Sequence, residues 1–320
     1  MEQNIAMNNM PSAPLIAAEE VRSNFIKSFI LVGIIIALVI AASYYIGYML
    51  DDVKTGLLIG GVISIIVIPL QIMTAKWMIL SMTSGRAANV NDIRERRALH
   101  IVEGLAVSAG LKRTPDLYII PTHIPNAFAS GMDENSAFIG VTEGLLEMMD
   151  DQELEGVIAH EVGHIIHRDI MLNQLVVGLI SVLLILALII ERLGIIGAYT
   201  GGSRRSRDRD NGGGGAAVAV LLLVALLVRP LVMLIGTLLQ LGISRKREYA
   251  ADAVAVRLCS YNEGLARALE KLGGEKYSSE DIKELGGENM ACMYINFPGG
   301  ELFSTHPPIA ERVRRLRNMY

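Results

Sequence analysis

The sequence predicts an α+β protein that is mostly helical and is embedded in a membrane by about four transmembrane segments. First, 52% of its residues are hydrophobic and its mean hydropathy is +0.41, with the apolar residues gathered in long uncharged blocks. Blocks of this length and composition are typical of transmembrane helices. Second, short strand-like runs and helices with one charged face lie between the blocks, which indicates a domain outside the bilayer.

The N-terminal part of the chain is expected to hold a tail and two transmembrane helices. Residues 1–27 are polar and predict an irregular tail, and 28–80 contain two apolar blocks. The first block, 28–50, carries no charge and is long enough for a hydrocarbon core of about 30 Å. It is too long for a signal-peptide core and no convincing cleavage site follows it, so we expect a retained anchor. Pro69 is expected to kink the second block.

Residues 81–169 are predicted to form the first part of a domain outside the membrane. Helical periodicity over 90–109 ends at Gly110. Thr142 is positioned to cap a short helix, and Asp150 with Glu153 resembles a capping box at the start of the next one. Three short apolar runs predict strands, at 116–121, 126–131 and 136–141.

The next part of the chain, 170–243, is predicted to be a transmembrane hairpin with a Gly/Arg-rich loop at 191–215, and 244–320 the second part of the outer domain. Arg229 interrupts the last apolar block. It either has a function inside the membrane or marks the point where the span leaves it. Both interpretations are open.

Basic residues predict the orientation of the chain in the membrane. They flank the first two spans and place the N-terminus and the segment after residue 80 on the cytoplasmic side. The loop 191–215 conflicts with this rule, because it carries five Arg and lies outside if both later segments cross. Either the loop is translocated despite its charge, or the two segments form a re-entrant hairpin.

Cysteine content and net charge exclude several classes of function. Cys259 and Cys292 make neither a disulfide framework nor a Cys-type metal site. The formal charge of −4 argues against a nucleic acid partner. No nucleotide is expected either.

A candidate metal motif lies at the centre of the chain, in the sequence His160-Glu161-Val162-Gly163-His164. Residues four apart share one face of a helix, so both imidazoles can reach one ion. Glu161 then lies beside the metal, where a general base for an activated water is needed. Taken alone, so short a motif also occurs by chance.

A catalytic zinc needs a third protein ligand. Ile170 occupies the place of a third His in one known pattern, which excludes that pattern. Glu248 is the candidate, and Asp252, one helical turn later, is suited to accept a hydrogen bond from a ligand imidazole. The alternative is that both acids form a solvated face beside three basic residues. His167 shares the face of the His pair and is a weaker candidate ligand.

These motifs together resemble the membrane-bound M48 zinc metallopeptidases, and most closely the HtpX group of bacterial membrane proteases. The resemblance rests on H-E-x-x-H, on S-R-x-x-E-x-x-A-D-A from Ser244, and on the number of apolar segments before and between them. Two further stretches are similar to the family's motifs, Asn126-Ala-Phe-Ala129 and Phe303-Ser-Thr-His306-Pro-Pro308. It covers most of the chain.

The resemblance implies a zincin-like (gluzincin) metalloprotease domain that binds one zinc ion through His160, His164 and Glu248. It implies that Glu161 is the general base and that Asp252 hydrogen-bonds to a ligand. His306 either holds the oxyanion or caps the following helix. Two residues are expected to offer backbone hydrogen bonds to a substrate strand, Asn126 and Ala127.

The function implied is that of a multi-pass zinc endopeptidase of the cell (plasma or inner) membrane, whose active site faces the cytoplasm. Its partners are polypeptide substrates and the lipid bilayer. The substrates implied are misfolded or damaged membrane proteins, cleaved in quality control and stress response. Two alternatives are a CAAX-type prenyl-protein peptidase and a catalytically silent membrane scaffold. The presence of Glu161 argues against the scaffold, which has no use for a base.

Overall fold

The computed structural model describes residues 13–49, 51–172, 174–175, 188, 192, 245–275 and 307–319. The chain divides into two compact units. The first comprises Met1–Ser28, Ala75–Gln174 and Leu241–Tyr320, and the second comprises Phe29–Thr74 and Leu175–Gln240.

Helix α1 runs over Ala13–Met49. Its start contradicts the expectation of an irregular tail over the whole of 1–27, because the stretch Ile16–Arg22 consists largely of strong helix formers. Arg22–Tyr45, within α1, is the one helical stretch in the described ranges that is long and apolar enough to cross a membrane. The predicted third and fourth segments lie almost wholly outside the described residues.

A second helical stretch follows a tight turn. Asp51 has a φ of 57°, and the Asp52 side chain accepts a hydrogen bond from the Thr55 backbone N–H at 3.1 Å, which caps the next helix. This stretch comprises helix α2 (Val53–Val62), a π-helical turn (Ile63–Val67) and helix α3 (Ile68–Met82). The π turn lies just before Pro69, whose ring nitrogen carries no hydrogen to donate to the preceding turn. The kink that the sequence predicts at Pro69 is therefore seen as a π-helical turn.

Small residues let α1 and α2 approach closely in the second unit. A Cβ added to Gly56 would lie 2.5 Å from the Ser43 carbonyl oxygen, and one added to Gly60 would lie 2.6 Å from the Ser43 side chain. Larger residues at either position would push the two helices apart.

The first unit contains a four-stranded mixed sheet with the order β1-β2-β4-β3. β2 pairs with β1 in antiparallel and with β4 in parallel fashion, and β3 pairs with β4 in antiparallel fashion. All three predicted strands are confirmed, whereas the two-residue β1 was not predicted. The strands are β1 (Arg86–Ala87), β2 (Asp116–Ile120), β3 (Ala127–Ser130) and β4 (Phe138–Thr142).

Helices of the first unit cover this sheet and enclose one large apolar core. Asp92 caps α4 and Gly110 ends it with a φ of 68°, as the sequence predicts. Thr142 caps α5 as predicted. The helices are α4 (Ile93–Ala109), α5 (Glu143–Met148), α6 (Asp151–Ile166), α7 (Arg245–Cys259), α8 (Glu263–Gly274) and α9 (Ile309–Arg317).

Candidate metal centre

Helix α6 carries the His pair, and its first turn is firmly fixed. Asp150 and Glu153 form the predicted capping box, with both reciprocal hydrogen bonds present. Glu153 is buried, and Lys271 of α8 donates to its carboxylate at 2.6 Å. The N-terminus of α6 is thereby held against α8.

Two glycines set how closely α6 approaches its neighbours. A Cβ on Gly156 would lie 2.6 Å from the Leu265 backbone nitrogen of α8. A Cβ on Gly163, within the motif, would lie 3.1 Å from the Ala251 Cα of α7. This contact brings α7 close enough for Glu248 to reach the His pair.

The structure brings the three expected ligands together. The Nε2 atoms of His160 and His164 are 3.2 Å apart. The Glu248 carboxylate oxygens lie 3.5 Å from Nε2 of His160 and 3.6 Å from Nε2 of His164. His167 does not belong to this cluster.

These separations suit one shared metal ion. Ligand bonds of about 2.0–2.1 Å place neighbouring ligand atoms about 3.3–3.4 Å apart in a tetrahedron. The His160–His164 separation of 3.2 Å is close to that value. The two Glu248 distances end on different oxygens, Oε2 toward His160 and Oε1 toward His164, and with one atom from each residue the three donors lie within 4.8 Å of one another. Two imidazoles and one carboxylate, three protein ligands in all, match the donor set of a site that keeps one open position.

The imidazole of His160 is backed by a buried ion pair. Its Nδ1 lies 3.0 Å from Oδ1 of Asp252. Arg312 of α9 donates to both oxygens of Asp252, at 2.9 Å from Nε and 2.6 Å from Nη2. Its Nη1 also lies 3.6 Å from Glu248. The structure therefore places Asp252 where the sequence expects it and adds an arginine behind it.

The electrostatics around His160 keep Asp252 ionised. Burial raises the pKa of Asp252, but the charge of Arg312 and the hydrogen bond from His160 bring it down to about 2. Burial and the Arg312 charge lower the pKa of His160, but Asp252 and Glu248 raise it to about 9. An ionised Asp252 accepts the Nδ1–H of His160, which leaves the lone pair on Nε2 for a metal. Nη2 of Arg312 lies against the same ring, 3.3 Å from Nδ1 and 3.4 Å from Nε2.

His164 has a carboxylate of its own. Its Nδ1 lies 3.2 Å from Oδ2 of Asp169, which follows the end of α6. Burial lowers the pKa of His164, but Asp169, then Glu248 and Glu161, raise it above its usual value. Glu161, itself buried, therefore lies within electrostatic range of His164. The His164 side chain is 13% exposed and that of His160 is 1% exposed, so the centre is more open on the His164 side.

Strand β3 packs against α6. The expectation that Asn126 offers its backbone to a substrate is wrong, because that backbone is already paired. Its N–H donates to Thr142 Oγ1 at 2.8 Å, and its carbonyl accepts from the Thr142 N–H at 3.0 Å. Since bonded pairs alternate along an antiparallel ladder, Ala127 and Ala129 direct their N–H and C=O groups to the outer edge.

Sequence reasoning did not identify Arg312 or Asp169. Arg312 had a detectable signal, because it lies on the apolar face of α9 between Ile309, Val313 and Leu316. Asp169 has no motif around it and is the last charged residue before the apolar run that begins at residue 170. His306 lies outside the described residues.

The part of the chain that holds this centre matches a sequence profile, described as peptidase family M48, over residues 92–320. The chain belongs to peptidase family M48. This confirms the resemblance that the motifs predict.

Several M48 relatives are similar over nearly the whole chain. A Protease HtpX homolog of Streptococcus uberis is 34% identical, covering 94% of this chain and 99% of its own. One from Listeria monocytogenes is 36% identical with the same coverage. One from Dictyoglomus thermophilum is 41% identical, covering 69% of this chain and 68% of its own.

Among solved structures, the crystal structure of S. mikatae Ste24p matches with a TM-score of 0.49 and 18% identity. It covers 93% of this chain and 66% of its own, and a likeness this distant says nothing about function. The family and the HtpX homologues support a membrane-associated metalloprotease.

Proposed function

We propose that this M48 peptidase is a zinc-dependent endopeptidase of the cell membrane, with its active site on the cytoplasmic side. The observation that carries the proposal is the convergence of His160, His164 and Glu248, whose donor atoms lie within 4.8 Å of one another. Two imidazoles and one carboxylate are the donor set of a catalytic zinc site. Glu161 lies on the same helix beside this cluster. The apolar stretch Arg22–Tyr45 supports a place in the bilayer.

Each residue of the centre has its own role in the proposed peptide hydrolysis. Zinc supplies a Lewis acid that polarises the scissile carbonyl and makes a water molecule acidic. Glu161 accepts a proton from that water and delivers it to the leaving amine. Asp252 and Asp169 each accept an Nδ1–H, which keeps both Nε2 atoms directed at the ion.

We propose further that the catalytic domain is assembled from 81–169 and 244–320, with the membrane hairpin 170–243 between them. The placement of His160 and His164 on one part and Glu248 on the other supports this division. The first compact unit also joins residues from both parts.

Substrate polypeptides would add to the edge of the sheet. β3 is the last strand in the sheet order, and the register turns the backbone groups of Ala127 and Ala129 away from β4. Ala129 is partly exposed, whereas Ala127 is buried, so a substrate strand would pair first at Ala129 and would have to uncover Ala127. Recognition through the backbone tolerates many sequences, which suits an enzyme that removes misfolded or damaged membrane proteins. A peptidase held in the bilayer meets such substrates in its own plane.

The proposal is tested with the full-length protein in detergent. Zinc content and cleavage of casein and of a destabilised membrane protein are measured for wild type, Glu161→Gln and Glu155→Gln. Glu155 is the matched control, since it lies on the same helix and undergoes the same chemical change. We expect one zinc in each protein and a loss of roughly 10²–10⁴-fold in cleavage for Glu161→Gln alone.

Three results would contradict the proposal. Equal cleavage by wild type and Glu161→Gln would refute the role of the base. Absence of zinc from the wild type would refute the metal centre. Zinc-loaded but inactive wild type would favour a scaffold.

A further inference from the structure

The two imidazoles of the centre are supported in different ways. Behind His160, Asp252 is held by the two-pronged contact of Arg312. Behind His164, the Oδ1 atom of Asp169 accepts a hydrogen bond at 2.6 Å from the amide of Asn24. The nearest cationic group to that oxygen is Nε of Arg247, at 3.5 Å. The neutral side chain of Asn24 therefore makes a shorter contact with Oδ1 of Asp169 than the cationic side chain of Arg247 does.

Asn24 belongs to helix α1, far from the motif in sequence. Its side chain is 3% exposed, and its Nδ2 also donates to the His167 carbonyl at 3.1 Å. His167 ends helix α6, and Arg168 follows with a left-handed φ of 57°. The amide of Asn24 thus joins the end of the metal-binding helix to the carboxylate that follows it.

We propose that Asn24 is a positioning residue of the metal centre, which acts through Asp169 to fix the ring of His164. This inference rests on the proposed zinc peptidase function. The Nδ1–H of His164 needs a fixed acceptor if its Nε2 is to point at the ion. Asn24 supplies the fixed point, since its two N–H groups bind both the acceptor and the helix end.

Removing the Asn24 amide takes away the shortest hydrogen bond to the Asp169 carboxylate. Asp169 is 1% exposed, so the lost hydrogen bond leaves a buried carboxylate without its closest donor. The partners that remain are His164, whose Nδ1 lies 3.2 Å from Oδ2, and Arg247, whose Nε lies 3.5 Å from Oδ1. Because Asn24 is neutral, it adds no second cation beside that of Arg247 to compete with the imidazole for the Asp169 carboxylate.

This arrangement ties metal affinity to the membrane anchor. Asn24 lies within Arg22–Tyr45, the apolar stretch of α1. A movement of α1 that withdraws Asn24 would release Asp169 and loosen one of the three ligands. The N-terminal helix is therefore part of the metal centre as well as an anchor.

The test measures zinc affinity of the full-length protein in detergent by competition with a chelator. The variants are Asn24→Ala, Asn24→Asp, Asp169→Ala and the Asn24→Ala/Asp169→Ala pair. Ser28→Ala is the matched control, because Ser28 is also buried on α1 and donates to the Asn24 carbonyl at 2.8 Å, one turn from the Asp169 contact. The thermal midpoint of each metal-free protein reports on folding.

We expect Asn24→Ala to weaken zinc binding about tenfold and Asp169→Ala about 10–100-fold. Asn24→Asp should weaken it at least as much as the alanine, since two carboxylates then face each other. Ser28→Ala should leave zinc affinity unchanged. In the Asp169→Ala background, Asn24→Ala should have no further effect, because the residue it acts through is gone. The Co²⁺-substituted protein should show altered d–d absorption in Asn24→Ala and an unaltered spectrum in Ser28→Ala.

The outcomes separate this inference from the proposed function. A wild type without zinc overturns both. A zinc-binding wild type whose affinity Asn24→Ala leaves unchanged overturns the positioning role alone. Equal losses from Asn24→Ala with and without Asp169, or equal losses in Asn24→Ala and Ser28→Ala, would show that α1 contributes only general packing.

Discussion

Substitutions in the buried ion pair of Arg312 and Asp252 should change the stability of the fold and the affinity for zinc independently of each other. Both side chains are 1% exposed, and two short hydrogen bonds join them. Arg312→Leu leaves the Asp252 carboxylate buried without its guanidinium partner and with His160 alone as a donor. Breaking a buried pair from one side costs about 3–5 kcal/mol. The whole folding free energy of a domain is about 5–15 kcal/mol, so this single change removes a large part of it.

The double variant Arg312→Leu/Asp252→Leu should recover much of that stability, because Asp252 is then no longer a buried carboxylate without its cation. Zinc binding should not recover, since Nδ1 of His160 has then lost its acceptor. The expected loss is 10–100-fold in affinity, or about 1.4–2.7 kcal/mol. Arg312→Lys is the control that keeps the charge and loses the two-pronged contact.

Thermal unfolding of the detergent-solubilised proteins and chelator competition measure the two quantities separately. If the double variant bound zinc as tightly as wild type, Asp252 would have no part in orienting His160. If Arg312→Leu unfolded at the wild-type temperature, the reasoning about a buried unpaired carboxylate would be refuted.

Two further predictions follow from close contacts in the first unit. Gly163→Val should lower the free energy of unfolding by about 1–3 kcal/mol and remove most of the bound zinc, because the valine methyl groups meet the Ala251 backbone. Gly104→Val is the control, since a Cβ at that position has nothing within 4 Å. Equal zinc content in the two variants would refute the role of the close approach. Peptide substrates N-methylated at single backbone amides should lose about 2–10-fold in kcat/KM at every second position, since Ala127 and Ala129 face the edge in alternation. A loss without this two-residue period would argue against strand addition.

Features that depend on neighbouring residues were predictable from the sequence. The capping box of Asp150 and Glu153, the Gly110 helix end and the Thr142 cap each involve residues within a few positions. The spacing of His160 and His164 also defines one helical face by itself. Such patterns contain their own partners, so a single sequence is enough to identify them.

Residues that act across long separations were predictable only in part. Asp169 and Asn24 are 145 positions apart, and no sequence pattern near either residue indicates that they form a hydrogen bond. The expectation that the Asn126 backbone faces substrate rests on the family resemblance alone, and the Thr142 side chain that accepts its N–H cannot be placed without the sheet register. The start of α1 was missed because the polar residues before Ala13 obscured the helix formers after Ile16.

The distance in sequence between the His pair and Arg312 has a consequence for the time course of synthesis. Arg312 follows His160 by 152 residues. At roughly 5–20 residues per second, the ribosome makes the motif about 8–30 s before the arginine that completes its surroundings. A nascent chain therefore carries the base and both histidines while Asp252 still lacks its cation. The surroundings of His160 are therefore the last part of this centre to be completed during synthesis.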